Sequence, residues 1–229
     1  MMQKKKILVV LTNTTQFQVK PEATGLWLGE ATEFVSDMQQ AGFAVDYVSP
    51  QGGYVPLDPR SLKYADAQAM AMYQDPEFQR RALTASLAPN QVHAEDYTAI
   101  YYTGGHGVMF DFPDSQALQD ISRTIYRQGG YLTSVCHGIA GLLNLQDDNG
   151  QYIIAGKRIT GFTTTEEILS SKRRMVPFLN EHVAKDHGAI FQKVRAFKSY
   201  AVTDGRVITG QNPWSPHAVA NALLDAIGN

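Results

Sequence analysis

Short apolar runs alternate with helical patterns along the chain, and this alternation limits the fold more than any other feature. The apolar runs are rich in Val, Ile and Tyr and are bounded by Gly, Pro or Asn. They predict strands at residues 6–11, 43–49, 99–103 and 131–135. The patterns between them predict helices at residues 31–41, 76–86 and 115–128. Apolar strands separated by helices are typical of a mostly parallel sheet covered on both faces, so we expect a three-layer α/β sandwich.

Turn signals predict two β-hairpins later in the chain. Residues 152–160 would turn at Ala155-Gly156-Lys157, and residues 200–209 would turn at Asp204-Gly205, a dipeptide typical of a type I′ turn. Ser215-Pro216 then supplies an N-cap and a proline at the first helical position, which predicts a C-terminal helix.

The length of the chain, 229 residues, is near the upper limit for one hydrophobic core. It contains no linker, repeat or low-complexity segment, so residues 1–229 are expected to form a single α/β domain. Residues 51–91 form a long segment with two loops that contain proline, and we expect them to be an insertion over one edge of the sheet.

Charge and apolar patterning argue against several classes of partner. The formal net charge is −2 and the basic run Lys4-Lys5-Lys6 is short, whereas a nucleic-acid surface needs many clustered cations. The apolar run after these lysines ends at Thr12 with no small-residue cleavage site, so a buried first strand is expected rather than a signal peptide. No segment has the length needed to cross a bilayer.

The single cysteine, Cys136, lies where a strand runs into a small-residue turn and then a helix, within residues 130–142. This is the arrangement of a nucleophile elbow, with cysteine in place of serine, and the helix N-terminus after it would favour the thiolate. The alternative is a small buried hydrophobe without a chemical role. One cysteine cannot form an internal disulfide or a cysteine-type metal site, which fits a reducing cytoplasm.

Another predicted strand ends in a glycine-rich turn, Gly104-Gly105-His106-Gly107. Such a turn presents backbone N–H groups that suit an oxyanion hole. Because the carboxyl ends of parallel strands lie at one edge of a sheet, this turn and Cys136 are expected to face the same crevice. Phosphate binding is the alternative, but neither a Gly-Lys-Ser/Thr sequence nor a full dinucleotide fingerprint is present.

Several ordered motifs between about residues 5 and 212 resemble the ThiJ/PfpI superfamily, which has the flavodoxin-like, class I glutamine amidotransferase-like fold. They resemble most the branch of glyoxalase III-like, heat-shock-inducible chaperone homologues. The motifs are Gly25-Leu26-Trp27-Leu28-Gly29-Glu30, Ser49-Pro50-Gln51-Gly52-Gly53, Pro56-Leu57-Asp58-Pro59, Gly104-Gly105-His106-Gly107, Val135-Cys136-His137-Gly138, and Thr160-Gly161-Phe162 with Glu166-Glu167.

The resemblance implies roles for the chemical groups of the site. Cys136 matches the nucleophile, and Glu30 matches the acid that hydrogen-bonds the sulfur; on its own, Glu30 would be read as an acid that stabilises a helix N-terminus. His137 matches the histidine of this branch, and Glu167, with Glu166 as the alternative, matches the acid after the Gly-Phe motif. A carboxyl group buried beside a thiolate is expected to stay protonated and to move a proton.

The resemblance also implies oxyanion donors in the glycine turn, at Gly104 and Gly105, and in the backbone of Cys136 and His137. No cofactor is implied. The remaining histidines lack metal-ligand spacing, so no metal site is predicted.

His106 and Trp27 are expected in the wall of the pocket. Two departures from the family pattern lie beside them. Thr103 stands where proline often precedes the glycine turn, and residues 31–34 lack the proline common after the helix glutamate.

The function implied is conversion of methylglyoxal or related 2-oxoaldehydes to 2-hydroxy acids through a Cys136 hemithioacetal, without glutathione, metal or nucleotide. One alternative is a protein deglycase or peptidase-like hydrolase that uses the same cysteine. Another is a stress-protective holding chaperone whose thiol senses oxidation. A glutamine amidotransferase is disfavoured, because no late histidine is followed two residues later by an acid. A cytoplasmic location and a homodimer are further expectations.

Overall fold

The computed structural model describes residues 6–228 and contains one large and one small β-sheet. The strands are β1 Lys6–Val10, β2 Ala44–Val48, β3 Ala99–Tyr102, β4 Tyr131–Val135, β5 Arg158–Ile159, β6 Ile190–Phe191, β7 Ala201–Asp204 and β8 Val207–Gly210. The large sheet has the order β2-β1-β3-β4-β8-β7, and all its pairings are parallel except that of β7 with β8. The predicted mostly parallel central sheet is confirmed.

Helices cover both faces of this sheet. They are α1 Leu28–Gln40, α2 Ala67–Gln74, α3 Pro76–Phe78, α4 Val108–Asp111, α5 Gln116–Arg127, α6 Ala140–Leu143, α7 Thr164–Leu169, α8 Asn180–Asp186 and α9 Pro216–Gly228. Strand β1 shows why both faces must be covered: Ile7 and Val9 join the core beneath α1 and α9, while Leu8 and Val10 join the core beneath α5. All four side chains are fully buried. The expected three-layer α/β sandwich is therefore confirmed.

The register of the two central strands brings the predicted site together. Strands β3 and β4 are parallel neighbours with Tyr102 opposite Ser134. The chain leaves both strands at the same edge, so the turn at Gly104 and the corner at Cys136 lie side by side, as the topology predicted.

One predicted hairpin is confirmed and one is wrong. Strands β7 and β8 pair antiparallel around Gly205, but only Gly205 has a positive φ (58°) in that turn, whereas a type I′ turn needs two such residues. Residues 152–160 form no hairpin: β5 pairs in parallel with β6, while Tyr152 bridges to Gln146. Because α8 returns the chain beside β5, a distant segment takes the place of the local partner.

The segment 51–91 packs against β2, the edge strand of the large sheet. The predicted helix at 76–86 consists of α3 followed by a π-helical turn over Gln79–Thr84. From this turn the Arg81 guanidinium donates to the Val45 carbonyl at 2.7 Å and to Asp46 Oδ1 at 2.6 Å. The single domain over residues 1–229 and the insertion over residues 51–91 both stay predictions.

Within the described part of the chain, no helix is long and apolar enough to span a bilayer. The basic run at residues 4–6 lies largely outside the described residues.

Candidate active site

Cys136 occupies a strained corner between β4 and the helical segment that follows it. Its φ is +57°, a region that residues with a side chain rarely adopt, and the chain continues as a 3₁₀ turn over Cys136–Ile139 and then α6. Gly138 and Gly141 permit this path, because a Cβ at either position would collide with the Tyr102 carbonyl or ring. The predicted strand–elbow–helix arrangement is present.

Glu30 reaches Cys136 from the first turn of α1 and is fully buried. Its Oε2 accepts a hydrogen bond from the Gly104 N–H at 2.6 Å, and its carboxyl group lies beside Cys136, since a Cβ at Gly104 would meet both side chains. A Cβ at Gly104 would collide with this carboxyl group, so glycine is required there. Gly104 was predicted to donate to an oxyanion, but its N–H is already bound to Glu30. Gly104 therefore positions the acid and is not an oxyanion donor.

Glu30 and Cys136 each hold their proton more tightly than an exposed group would. Burial raises the pKa of the Glu30 carboxyl well above its ordinary value of 4.5. Burial also raises the pKa of the Cys136 thiol, and a charge on Glu30 raises it further. The His137 N–H at the start of the helical turn lowers the thiol pKa, in the predicted direction, but burial outweighs this effect and the net direction is upward. With Glu30 protonated, however, the carboxyl can donate to the sulfur and assist its ionisation.

His137 and His106 both face the carboxylate of Glu167 in a buried cluster. His137 Nε2 lies 2.8 Å from Glu167 Oε2, and His106 Nε2 lies 3.0 Å from Glu167 Oε1. Because a carboxylate can only accept, each Nε2 carries a proton, and in the neutral form of each ring Nδ1 is then the acceptor. His137 Nδ1 lies 3.4 Å from Cys136 Sγ, so it is oriented to receive the thiol proton.

The charges of this cluster follow from its hydrogen bonds. Burial opposes ionisation of Glu167, but the two imidazoles outweigh it and hold the pKa of this carboxyl well below its ordinary value. Burial, followed by the proximity of His137, lowers the pKa of His106 to about 4. Near neutral pH the cluster therefore contains a carboxylate and a neutral His106.

The sequence did not reveal that Arg60 belongs to this network. Arg60 Nε donates to Asp58 Oδ1 at 2.9 Å, and Nη2 contacts Asp58 Oδ2 at 2.5 Å and His106 Nδ1 at 3.1 Å. Since a guanidinium has no acceptor, this contact requires an unprotonated Nδ1 on His106, which agrees with the proton on Nε2. The available signal in the sequence was the position of Arg60, two residues after Asp58, which is the acid of the Pro56–Pro59 motif.

A metal ion is a competing explanation for the His106, His137 and Glu167 cluster, whose potential ligand atoms all lie within 4.8 Å of one another. An ion between the facing Nε2 atoms would displace both protons. The displaced proton of His106 would then have to occupy Nδ1, opposite the Arg60 N–H. Two donors would then face each other at His106 Nδ1. Hydrogen bonds from the two imidazoles to Glu167 are therefore favoured over a bound metal ion.

Glu166, the alternative to Glu167, points away from the sulfur and holds loops together. Its Oε2 accepts from the N–H and hydroxyl of Thr163 at 2.9 and 2.8 Å. Its Oε1 accepts from the Phe197 N–H at 2.8 Å, Gln211 Nε2 at 3.0 Å and Asn212 Nδ2 at 2.9 Å. The choice of Glu167 over Glu166 as the partner of His137 therefore agrees with the geometry.

Glu166→Gln is expected to lower the free energy of unfolding by about 3 kcal/mol, because either orientation of the amide places an NH₂ against buried donors. Urea denaturation measures this change. Glu95→Gln, at an exposed position, is the matched control and should leave the transition in place. A Glu166→Gln protein as stable as wild type would contradict the structural role.

A cavity of about 430 Å³ opens above these groups, and Cys136 and His137 lie at its base. Three of the predicted pocket residues, Trp27, Gly105 and His106, line it. Phe162, from the Gly-Phe motif, also lines it and places its ring 4.1 Å from that of His137. His93, His182, His187 and His217, to which no role was assigned, are absent from its lining.

Comparison with known proteins places this site in a family. The chain matches the DJ-1/PfpI family model over residues 23–226. It is 35% identical over 236 residues to the glutathione-independent glyoxalase HSP31 of Saccharomyces cerevisiae, covering 98% of this chain and 99% of that protein.

Solved structures agree with this match. Rapid Encystment Protein 24 KDa of Francisella tularensis superposes with a TM-score of 0.95 at 33% identity, covering 98% of this chain and 100% of that chain. Glyoxalase III of Candida albicans superposes with a TM-score of 0.85 at 29% identity, covering 96% of each chain. The predicted resemblance is confirmed: the chain belongs to the DJ-1/PfpI family.

Proposed function

We propose that this protein is a glutathione-independent glyoxalase that converts methylglyoxal and related 2-oxoaldehydes to 2-hydroxy acids. The observation that carries the proposal is the thiol at the base of the cavity, which has a buried carboxyl group of raised pKa beside it and an imidazole nitrogen 3.4 Å away. The names of the relatives support it, since the 35% identical yeast protein and the superposable Candida protein are both called glyoxalases.

The first step is addition of the Cys136 sulfur to the aldehyde carbon. His137 Nδ1 accepts the thiol proton while the new C–S bond forms, and the aldehyde oxygen becomes the oxygen of a hemithioacetal. We assign the stabilisation of negative charge on that oxygen to the Gly105 N–H together with the backbone at Cys136 and His137. Cys136 supplies the thiol that glutathione would otherwise provide.

The second step moves a proton between the two carbons of the substrate. Removal of the proton from the former aldehyde carbon gives an enediol, and its return to the neighbouring carbon leaves a thioester. Glu30 and His137 are the groups in reach, because each lies beside the cysteine that carries the substrate. Water then hydrolyses the thioester, which releases the 2-hydroxy acid and returns the proton to sulfur.

The test is formation of lactate from methylglyoxal by the wild-type protein in the absence of glutathione. Loss of methylglyoxal alone is insufficient, because surface lysines and arginines consume it, so lactate is measured in molar excess over protein. Chiral chromatography should show one enantiomer, whereas uncatalysed rearrangement gives both. A wild-type protein that produces no lactate above a protein-free blank would overturn the proposal.

Glu30→Gln is expected to lower kcat about 10²-fold, because the amide cannot give and take a proton. The change is conservative, since the amide oxygen can still accept the Gly104 N–H. Glu33→Gln is the matched control: Glu33 lies one turn further along α1 and outside the lining of the cavity. Equal rates for the two variants would show that Glu30 does not transfer a proton.

We also propose a cytoplasmic location, because a catalytic thiol must stay reduced and the chain has one cysteine with no internal partner. A small aldehyde is the proposed partner. The expectation of a homodimer stays a prediction.

A further inference from the structure

The upper part of the cavity has an aromatic wall that a three-carbon substrate would leave largely unused. Five rings form this wall and line the cavity: Trp27, Tyr64, Phe162, Phe197 and Trp214. The exposed fraction increases along the series of neighbouring rings that begins beside His137: Cys136 is 2% exposed, Phe162 5%, Phe197 38%, Trp214 46% and Tyr64 60%. The wall therefore extends from the reactive group to the mouth of the cavity.

The rings of the aromatic wall contact one another in sequence. The centroids are 6.3 Å apart for Phe162 and Phe197, 6.0 Å for Phe197 and Trp214, 5.8 Å for Trp214 and Tyr64, and 5.6 Å for Tyr64 and Trp27. These separations are typical of aromatic pairs that stabilise one another. Phe162 also packs on His137, so the wall is continuous with the reactive groups.

Two rings of the wall are held in place by buried Glu166. Phe197 has a φ of +58°, which is strained for a bulky residue, and its N–H donates to Glu166 Oε1 at 2.8 Å. Asn212 Nδ2 donates to the same oxygen at 2.9 Å, and Asn212 Oδ1 accepts the Trp214 N–H at 3.1 Å. A backbone strained to present a ring to a cavity is typical of a binding site.

The size and charge of the cavity limit its occupant. A volume of about 430 Å³ lies within the roughly 300–1,000 Å³ typical of pockets for drug-sized ligands. Arg60 and Lys63 line it, while none of the described lining residues is acidic. Aromatic walls can also bind cationic groups, but the two cations and the lack of a carboxylate disfavour that ligand. An uncharged aromatic group attached to an oxo or carboxylate end fits both features.

We propose that the aromatic wall is a binding site for the aryl group of aryl 2-oxoaldehydes and of the aryl 2-hydroxy acids formed from them. The reaction rests on the proposed function. The Cys136 sulfur bonds to the aldehyde carbon, a proton moves from that carbon to the aryl-bearing carbon, and water cleaves the thioester. The aldehyde carbon is oxidised, the ketone carbon is reduced, and the only co-reactant is water.

A binding experiment tests the site without catalysis. Mandelate and lactate differ only in a phenyl or methyl group, and the two tryptophans of the chain, Trp27 and Trp214, both belong to the wall. We expect mandelate to change the tryptophan fluorescence saturably, with a Kd roughly tenfold below that of lactate. Trp214→Ala should remove most of this difference, whereas Tyr54→Ala, an exposed aromatic outside the cavity lining, should preserve it.

A kinetic experiment then tests the substrate class. We expect Trp214→Ala to lower kcat/KM for phenylglyoxal, measured as mandelate formed, about tenfold more than it lowers that for methylglyoxal, whereas Tyr54→Ala should leave the ratio of the two unchanged. If mandelate binds no better than lactate to wild type, the inference is overturned even when methylglyoxal is converted. Selective mandelate binding without turnover of either aldehyde would uphold the aryl site and overturn the proposed function.

Discussion

Cys136→Ala is expected to lower the rate of lactate formation about 10⁵-fold, because the chain has no other thiol that could form the hemithioacetal. Steady-state kinetics with methylglyoxal measures this loss. The variant should still fold, since alanine, like cysteine, carries a Cβ and leaves the strain at φ +57° unchanged. An unchanged circular dichroism spectrum and thermal midpoint would check this point.

The same variant separates the enzyme from the other functions considered. A holding chaperone uses an apolar surface, so its suppression of aggregation should survive Cys136→Ala. A deglycase or peptidase-like hydrolase would lose its activity with the thiol. Lactate formation that persisted in a folded Cys136→Ala protein would contradict covalent catalysis at this residue.

Glu167→Gln is expected to lower kcat about 10³-fold through the tautomer of His137. The glutamine amide can accept an N–H at one end only, and its NH₂ needs an acceptor at the other. His106 must keep its Nε2 proton, because its Nδ1 faces the Arg60 guanidinium at 3.1 Å. The NH₂ therefore faces His137, which moves the His137 proton to Nδ1, opposite Cys136 Sγ. A protonated Nδ1 cannot accept the thiol proton.

Nitrogen-15 NMR of the histidines tests this explanation directly. In Glu167→Gln the proton of His137 should appear on Nδ1, whereas the Nε2 proton of His106 should remain. Glu166→Gln is the matched control, one residue away, and should change stability far more than the tautomer of His137. A Glu167→Gln protein with wild-type kcat, or with His137 still protonated at Nε2, would contradict the proposed role.

The elements that the sequence predicted well are those whose signal is local. Strand β4 has the predicted bounds, and β1, β2 and β3 lie within a residue at each end, because short apolar runs between turn residues leave little choice of conformation. The prediction of a hairpin at residues 152–160 is wrong because its strand pairing depends on a distant segment and not on a local signal. A turn signal shows where the chain bends, while α8 decides which strand lies beside β5.

Within the site, the position of the Cys136 thiol follows from local sequence, whereas its pKa depends on tertiary packing. The strand–turn–helix pattern was sufficient to place Cys136 at an elbow. The net direction of the pKa shift differs from the one inferred from that pattern, because the pattern contains the helix N-terminus but not the burial or the distance to Glu30, which belong to packing between β4, the Gly104 turn and α1.

The sequence by itself determined the fold class, the elbow cysteine and the family to which these belong. Each depends on periodicity or on residues that are neighbours in the chain. Only the tertiary structure decided that Glu167 pairs with His137 while Glu166 anchors two loops, that Arg60 orients His106, and that five rings from separate segments form one wall. Hydrogen bonds are directional and short, so the roles of two adjacent glutamates depend on which distant groups the fold brings within about 3 Å of each.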